Sequence, residues 1–193
     1  MSEHAIRRYG ENAVLVEHDE PLRVWAALQG ADGVQDVVPA ARTVLVVGPG
    51  AHQAVQRVLS AQLPPYSSPG VLVEVPVHYD GRDLSDINGL DSDEVIALHS
   101  ASTYTVAFIG FAPGFPYCRG LHPRLETPRL VTPRPSVPAG SVAIAGSWCA
   151  IYPTASPGGW RLLGRTDLVL FDAESEPPAL LQPGSKVRFV PVR

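Results

Sequence analysis

Arginine recurs at regular spacing in the middle of this chain, in a setting that suits anion binding. The dipeptide Pro-Arg occurs three times, five residues apart, so that the arginines are Arg124, Arg129 and Arg134. Because proline keeps the residue before it extended, these side chains are expected to project from a stiffened ribbon. Guanidinium groups bind carboxylate or phosphate through paired hydrogen bonds. The pattern predicts either an anion site or a solvated ribbon whose arginines pair with surface Asp and Glu.

Side chains capable of nucleophilic catalysis are present but poorly placed. Ser141 and Ser147 each follow a glycine, yet neither lies in a G-x-S-x-G turn between a strand and a helix. Cys118 and Cys149 have aromatic or apolar neighbours, which favours burial over reactivity. His99 is a candidate base or ligand, although a lone histidine on a helix is more often packed and hydrogen-bonded. We therefore predict a chain that is incomplete as a catalyst, and the sequence identifies no catalytic residue.

The lysine count excludes two further chemistries. Lys186 is the single lysine, against fourteen arginines, and it lies in a predicted polar turn. No G-x-x-x-x-G-K-[ST] phosphate loop occurs, and Schiff-base catalysis has no suitable lysine. The two cysteines and six histidines show no zinc-ligand spacing, so no metal site is predicted.

Length and composition bound the class of protein. A chain of 193 residues is expected to form one or two domains, and 45% hydrophobic against 18% charged residues predicts a globular protein. The net charge of −4 offers no basic surface, so neither nucleic acid nor a membrane is predicted as a partner. Since no signal peptide or membrane span is apparent, we expect a cytoplasmic protein with reduced thiols.

Apolar periodicity predicts a small α/β domain at the N-terminus. Its predicted elements form a β-α-β-β-α layer preceded by a short strand: a strand near Ile6, strands at 12–18, 34–38 and 43–48, and helices at 21–31 and 51–63. The stretch PPYSSPG at 64–70 has the composition of a linker. We therefore predict two domains, 1–66 and 67–193.

The second domain is predicted to be mostly strand. A strand at 71–81 precedes a helix that Asp91 can cap, with Glu94 completing a capping box. Nine prolines between Pro113 and Pro157 exclude any long helix beyond Thr103. Short strands are predicted at 103–110, 141–146, 148–153, 160–164, 168–171 and 186–192. This pattern indicates a closed or sandwiched β architecture.

Long stretches of the chain closely resemble one family. They run from FIGFAPGFPYCRGLHPRLETPRLVTPRPSVPAGSVAIAG to IYPTASPGGWRLLGRTDLVLFD, with VEVPVHYDG, EVIALH and PPALLQPGSKVRF beside them. They resemble the allophanate hydrolase subunit 1 family, also called the 5-oxoprolinase B-subunit or sporulation kinase inhibitor family, which carries carboxyltransferase subdomains C and D. The resemblance implies an α+β chain, with a small N-terminal α/β domain followed by a cyclophilin-like β-barrel.

The resemblance also implies an activity that needs other chains. The leading expectation is a subunit of a hydrolase that opens the cyclic amide 5-oxo-L-proline to L-glutamate at the expense of ATP. The implied partners are a homologous larger subunit, of the allophanate hydrolase subunit 2 or 5-oxoprolinase C-subunit type, and a third of the 5-oxoprolinase A-subunit type. Two alternatives stay open: a regulatory protein that inhibits a histidine kinase, and a carboxyltransferase component of urea carboxylase or allophanate hydrolase.

The same resemblance places a substrate groove on the barrel. Its expected wall consists of aromatic side chains and one histidine: His99, Tyr104, Phe111, Phe115 and Tyr117. Its expected floor consists of arginines, turn residues and a few other side chains: Arg129, Arg134, Gly140, Ser141, Gly158, Gly159, Trp160, Arg165 and Thr166. Backbone N–H groups of the Pro-Ala-Gly-Ser and Pro-Gly-Gly turns, together with arginine, would stabilise a carboxylate or an acyl-phosphate-like anion.

Overall fold

A computed structural model of the protein describes residues 5–63, Tyr66 and residues 72–192. The chain divides into two compact units, Met1–Ser67 and Ser68–Arg193. The predicted linker at 64–70 lies outside the described residues except for Tyr66, so the domain boundary at 66 stays a prediction. Among the described residues, no helix is long and apolar enough to cross a membrane.

The first unit is a four-stranded antiparallel sheet with two helices packed on it. Its elements are β1 (Ile6–Arg8), β2 (Ala13–Glu17), α1 (Pro21–Leu28), β3 (Asp36–Pro39), β4 (Thr43–Val47) and α2 (Ala51–Ser60), and the strand order is β1-β2-β4-β3. Alternate residues of the central strands, such as Val16 and Val44, are buried with Leu28 of α1 and Val55 of α2. Both helices end three residues before their predicted ends, because the backbone becomes extended after Leu28 and Ser60.

The second unit, called the barrel unit below, is mostly sheet. Its elements are β5 (Leu72–Val77), α3 (Ser92–Ala101), β6 (Tyr104–Ile109), β7 (Pro116–Arg119), a 3-10 turn (Pro123–Leu125), β8 (Arg134–Val137), β9 (Ser141–Ala145), β10 (Trp148–Ile151), β11 (Ser156–Gly158), β12 (Arg161–Arg165) and β13 (Lys186–Pro191). Seven strands form one sheet in the order β12-β9-β10-β7-β6-β13-β5, while β8 and β11 form a separate two-stranded ribbon. Only the pairing of β13 with β5 is parallel among these ladders.

The seven-stranded sheet nearly closes into a barrel. His78, just after β5, pairs with Arg165 at the end of β12, and their backbone N–H and C=O groups exchange two hydrogen bonds of 2.9 Å. A Cβ at Gly164 would lie 2.2 Å from the carbonyl oxygen of His78, so only glycine allows this approach. Of the two predicted β architectures, closed or sandwiched, the structure therefore has the first, as a nearly closed barrel-like sheet.

Helix α3 packs on the interior of the barrel. The side chain of Asp91 accepts a hydrogen bond of 2.8 Å from the N–H of Glu94, which confirms the predicted cap. The carboxylate of Glu94 pairs with Arg124 at 2.6 Å. Val95 and His99, four residues apart on one helix face, are fully buried.

One predicted strand is wrong. Residues 168–171 form no strand, and only Phe171 makes an isolated bridge, to Ala179. Strand β12 already pairs with β9 on one side and approaches His78 on the other, so it offers no edge to a further strand. The apolar character of the segment reflects the burial of Leu170 in the barrel interior.

Candidate functional site

A cavity of about 230 Å³ opens on the outer face of the barrel sheet. We call it the aromatic pocket. Its lining consists of five aromatic rings, one arginine and backbone-rich turn residues: Phe111, Phe115, Tyr117, Arg129, Pro133, Tyr152, Pro157, Gly158, Gly159 and Trp160. Seven of these residues belong to the groove implied by the family resemblance, and the structure brings them together.

Strand alternation decides which side chains reach this pocket. Successive residues of a strand point to opposite faces of the sheet. Tyr117 therefore faces the pocket while Cys118, its neighbour in β7, lies in the barrel interior. In the same way Trp148 packs on the outer face while Cys149 faces inward. The outer aromatic rings contact one another, with Phe115 lying 5.1 Å from Tyr117 between ring centroids.

Strand β11 closes one side of the pocket by a tight backbone approach to Tyr152. A Cβ at Gly158 would lie 2.2 Å from the Tyr152 hydroxyl oxygen, so a larger residue would collide with the ring. Burial raises the pKa of Tyr152, while a backbone hydrogen bond from Trp160 opposes the shift. The phenol of Tyr152 is thus a neutral part of the wall.

Arg129 supplies the charge of the aromatic pocket. Its guanidinium carbon lies 5.7 Å from the centroid of the Trp160 ring, a cation–π geometry. It forms no ion pair with any residue in the described ranges. Its field opposes the effect of burial, which raises the pKa of Tyr117. The pocket therefore combines apolar walls with one positive charge that no carboxylate of the described residues neutralises.

The other two arginines of the Pro-Arg repeat are paired elsewhere. Arg124 binds Glu94, and Nη2 of Arg134 lies 2.7 and 2.8 Å from the two carboxylate oxygens of Asp83. The pairing with acidic side chains that the sequence offered as one alternative therefore holds for two of the three arginines, and the anion site stays a prediction. Arg124 and Arg134 pair with acidic side chains, and Arg129 alone faces the pocket without such a partner among the described residues.

A second cavity, of about 320 Å³, holds three of the other groove residues. Arg134, Ser141 and Arg165 line it together with Asp80 and Arg82. Arg165 Nε lies 2.9 Å from a carboxylate oxygen of Asp80. The structure thus divides the predicted floor between two cavities.

Gly140 and Thr166 line neither cavity and bind each other through their backbones. The N–H of Thr166 donates to the carbonyl of Gly140 at 2.9 Å, and the N–H of Gly140 donates to the carbonyl of Tyr152 at 2.7 Å. The N–H of Ser141 lies 3.4 Å from the carbonyl of Pro138. These hydrogen bonds occupy the N–H groups of Gly140 and Ser141, two of the groups that the family resemblance assigned to anion binding.

His99 and Tyr104 lie in the barrel interior, on the opposite face of the sheet from the aromatic pocket. His99 Nδ1 lies 2.7 Å from the Tyr79 hydroxyl, and Nε2 lies 3.3 Å from Cys149 Sγ. The Tyr104 hydroxyl donates to the carbonyl of His99 at 3.1 Å. Burial lowers the pKa of His99 to about 3 and raises the pKa of Tyr79 and Tyr104. Each group in this chain of hydrogen bonds is therefore neutral at physiological pH.

Cys149 lies beside His99, but we expect both thiols of the chain to be unreactive. Both are fully buried, and burial raises the pKa of Cys118 to about 12 and the pKa of Cys149 well above its usual range. Since the thiolate is the reactive form, a disulfide reagent should label neither in the folded chain and both after denaturation. A Ser147→Cys variant, whose new thiol is exposed on the turn before β10, serves as the control. Labelling of a native thiol at the rate of the control would contradict the expectation.

Several residues of the site were not predicted from the sequence. Tyr152 and Pro157 were not expected in the groove, and Pro133 was considered only as part of the Pro-Arg repeat. Successive residues of a strand point to opposite faces, so Tyr152 lies on the same face of the predicted strand 148–153 as Trp148. This alternation would have identified Tyr152 as a site residue. Asp83, which holds Arg134, follows a turn in an irregular segment and has no such signal. Within 5–63, 66 and 72–192, no cluster of three His, Cys, Asp or Glu side chains could hold a metal ion.

Comparisons with known proteins agree with this architecture. The family described as carboxyltransferase domain, subdomain C and D, matches residues 4–181. The chain is 40% identical to the B subunit of 5-oxoprolinase from Escherichia coli, over 94% of this chain and 93% of that protein. It is 46% identical to the B subunit of 5-oxoprolinase from Bacillus subtilis, over 62% of this chain and 52% of that protein.

Among solved structures, TTHA0988 superposes with a TM-score of 0.82 at 34% identity. The alignment covers 98% of this chain and 40% of TTHA0988, so this chain spans less than half the length of that protein. The match of the family and the identity to the Escherichia coli protein both extend over nearly the whole chain. This protein belongs to the carboxyltransferase domain, subdomain C and D, family.

Proposed function

We propose that this chain is a non-autonomous subunit of an ATP-dependent hydrolase that opens 5-oxo-L-proline to L-glutamate. One observation carries the proposal: 40% identity to the B subunit of 5-oxoprolinase from Escherichia coli over 94% of this chain and 93% of that protein. The similarity covers both compact units, not only the barrel. The proposed partners are a larger subunit of the 5-oxoprolinase C-subunit type and a third of the A-subunit type.

The chemistry of the described residues supports a chain that does not act alone. An amide hydrolase needs a nucleophile, or a water molecule, beside a base that accepts its proton. The best approximation is the pair of His99 and Cys149, and burial keeps both neutral and away from substrate. The aromatic pocket contains no carboxylate, histidine or thiol among the described residues that line it. We therefore assign bond cleavage to residues of another chain or of the assembled interface.

ATP is also assigned to a partner chain. The turn Gly48-Pro49-Gly50 before α2 has the composition of a phosphate-binding turn, but its N–H groups are occupied. Gly48 donates to Asn12, Gly50 donates to Gly33 at 2.8 Å, and Ala51 donates to Gly48. This turn is therefore a poor fit for nucleotide phosphates.

A requirement for ATP and two buried reduced thiols also support the cytosol as the compartment in which the complex works.

We further propose that the barrel unit is cyclophilin-like, as the resemblance implies. The nearly closed seven-stranded sheet with α3 packed on its interior supports this assignment. Because side chains fill the interior of the barrel, a ligand has to bind on the outer face of the sheet, which is where the aromatic pocket opens.

Reconstitution tests the proposed function. The chain is purified alone and with the candidate subunits encoded beside its gene, and release of L-glutamate from 5-oxo-L-proline is measured with and without ATP. We expect glutamate and ADP only from mixtures that contain this chain, its partners and ATP, and no glutamate when this chain is omitted. Glutamate from no mixture, or from this chain alone, would refute the proposal. The same mixtures supplied with urea, with and without avidin, test the carboxyltransferase alternative.

A further inference from the structure

The aromatic pocket has the size and walls for a small flat molecule. Its volume of about 230 Å³ lies below the ~300–1,000 Å³ of pockets that hold drug-sized ligands. Aromatic faces surround it, with Trp160 and Tyr117 at 5.7 Å between centroids and Phe115 edge-on to both Tyr152 and Trp160. Such walls bind the apolar faces of a small ring rather than an extended polar chain.

The charge of the pocket selects an anion. Arg129 is the single charged side chain in the lining that the structure describes, and its stacking on Trp160 holds the guanidinium against the wall. Neighbouring arginines of the same repeat are neutralised by Glu94 and Asp83, whereas Arg129 has no acidic partner among the described residues. Arg129 is exposed, so its planar guanidinium is accessible to a ligand and can bind a carboxylate through paired hydrogen bonds.

Phe111 stands at the mouth of the pocket in a strained backbone conformation. Its φ is +68°, a region that favours glycine and is uncommon for a bulky residue. Phe111 is 65% exposed, and its ring lies edge-on to that of Phe115 at 5.3 Å between centroids. In the same turn Gly114 also has a positive φ, of +75°, but there the residue is glycine, whereas position 111 carries a large aromatic side chain. Phe111 belongs to none of the buried apolar clusters of the described residues, so core packing does not account for this conformation and a role at the pocket mouth does.

We propose that the aromatic pocket is this chain's own binding site for a small, flat, ring-shaped carboxylate, with Arg129 binding the carboxylate and Phe111 covering the ring. The identification of that ligand as the five-membered cyclic amide 5-oxoproline rests on the proposed function. The pocket binds and orients the ring but does not cleave it, since Tyr117 and Tyr152 are neutral phenols whose pKa burial raises. The site thus contributes substrate binding to a complex whose other chains supply the chemistry.

Direct binding tests the site without requiring activity. 5-Oxo-L-proline is titrated into the full chain, alone and co-purified with its partner subunits, by calorimetry, and 2-pyrrolidinone, which lacks the carboxylate, is the comparison ligand. We expect saturable binding of 5-oxo-L-proline, weakened at least about tenfold by Arg129→Met, and weak pyrrolidinone binding that this variant leaves unchanged. Arg124→Met, from the same repeat but paired with Glu94, is the matched control and should bind as the parent does.

Two variants of Phe111 separate a binding role from a structural one. Phe111→Ala removes the ring and keeps the strained conformation, while Phe111→Gly removes the ring and relieves the strain. We expect both to weaken binding about equally, by several-fold, while the thermal midpoint of Phe111→Gly lies above that of Phe111→Ala and no lower than the parent. A purely structural ring would instead lower both midpoints and leave the affinity unchanged.

The outcomes distinguish this site from the proposed function. Binding that depends on Arg129 and Phe111, in a chain whose reconstituted complex releases no glutamate, would support the pocket and refute the proposed function. A complex that releases glutamate while 5-oxo-L-proline binding is undetectable, or is insensitive to Arg129→Met, would overturn the pocket and leave the proposed function standing.

Discussion

Acidification from pH 7 to pH 4 is expected to lower the free energy of unfolding of the barrel unit by roughly 3 kcal/mol through His99 alone. Burial lowers the pKa of this imidazole from its ordinary value of 6.5 to about 3. Between these values the unfolded chain binds a proton that the folded chain does not. The contribution to stability is therefore complete above about pH 6.5, and each pH unit below it costs about 1.4 kcal/mol until about pH 3.

The environment of His99 explains why protonation is so costly. Its two ring nitrogens lie beside the Tyr79 hydroxyl and Cys149 Sγ, and its ring packs 4.4 Å from the Phe189 ring between centroids. None of these groups offers a negative charge, because burial also raises the pKa of Tyr79 and Cys149. An imidazolium here would be an unpaired charge in an apolar core.

Denaturant titrations at several pH values test this expectation. A Trp25→Phe background leaves Trp148 and Trp160 as reporters, so fluorescence follows the barrel unit. His99→Gln keeps a polar side chain that does not titrate, and it should lose about 3 kcal/mol less than the parent between pH 7 and pH 4. His52→Gln, on the exposed side of α2, should retain the parent's acid sensitivity. If His99→Gln does not fold, an NMR titration of the parent protein measures the pKa of His99 directly. A value near 6.5 would disprove the expected loss of stability.

Asp83→Ala is expected to destabilise the barrel unit by about 3–5 kcal/mol. Asp83 is 7% exposed, and its carboxylate accepts hydrogen bonds from Arg134 Nη2 and from the N–H of Leu162 at 2.7 Å. Its own N–H donates to the carbonyl of Leu162 at 3.1 Å, so this residue ties an irregular segment to β12. Removing the carboxylate leaves a largely buried guanidinium without its counter-ion and an N–H without its acceptor.

Urea unfolding of a matched pair of variants tests this loss. Asp80→Ala removes a carboxylate from the Arg165 pair, in which both side chains are 53% exposed, and it should cost less than about 1 kcal/mol. The double variant Asp83→Ala with Arg134→Met should lose less free energy of unfolding than the sum of the losses of the two single variants, because it leaves no unpaired charge. Equal losses of unfolding free energy for Asp80→Ala and Asp83→Ala would show that burial of the Asp83–Arg134 pair adds nothing to stability.

The sequence predicted Arg129 at a site but not which arginine of the repeat would be free. All three arginines follow prolines at equal spacing, so local pattern treats them alike. Their difference arises from Glu94 and Asp83, which lie 30 and 51 positions earlier in the chain than Arg124 and Arg134. Pairings over such separations depend on how the strands fold against each other, and local periodicity carries no information about them.

The sequence predicted which side chains are buried better than it predicted which of them belong to the functional site. The apolar neighbours of Cys118 and Cys149 indicated buried thiols, and both are buried. His99 and Tyr104 were assigned to the groove by resemblance, yet His99 on α3 and Tyr104 on β6 are buried in the barrel interior, and the aromatic pocket opens on the outer face of the sheet. The strands β7, β8 and β11 were not predicted because each is only three or four residues long and contains a proline, so none shows a run of alternating residues.

The position of β13 governs when the barrel unit can fold during synthesis. This strand lies between β6 and β5, pairs Lys186 with Leu72 in parallel, and contributes Val187 and Phe189 to the interior. The edge of β5 that pairs with β13 therefore stays unpaired until more than a hundred further residues have left the ribosome. The first unit has no such dependence and is able to fold earlier. Nascent chains stopped before residue 186 should consequently hold a folded first unit followed by a protease-sensitive barrel.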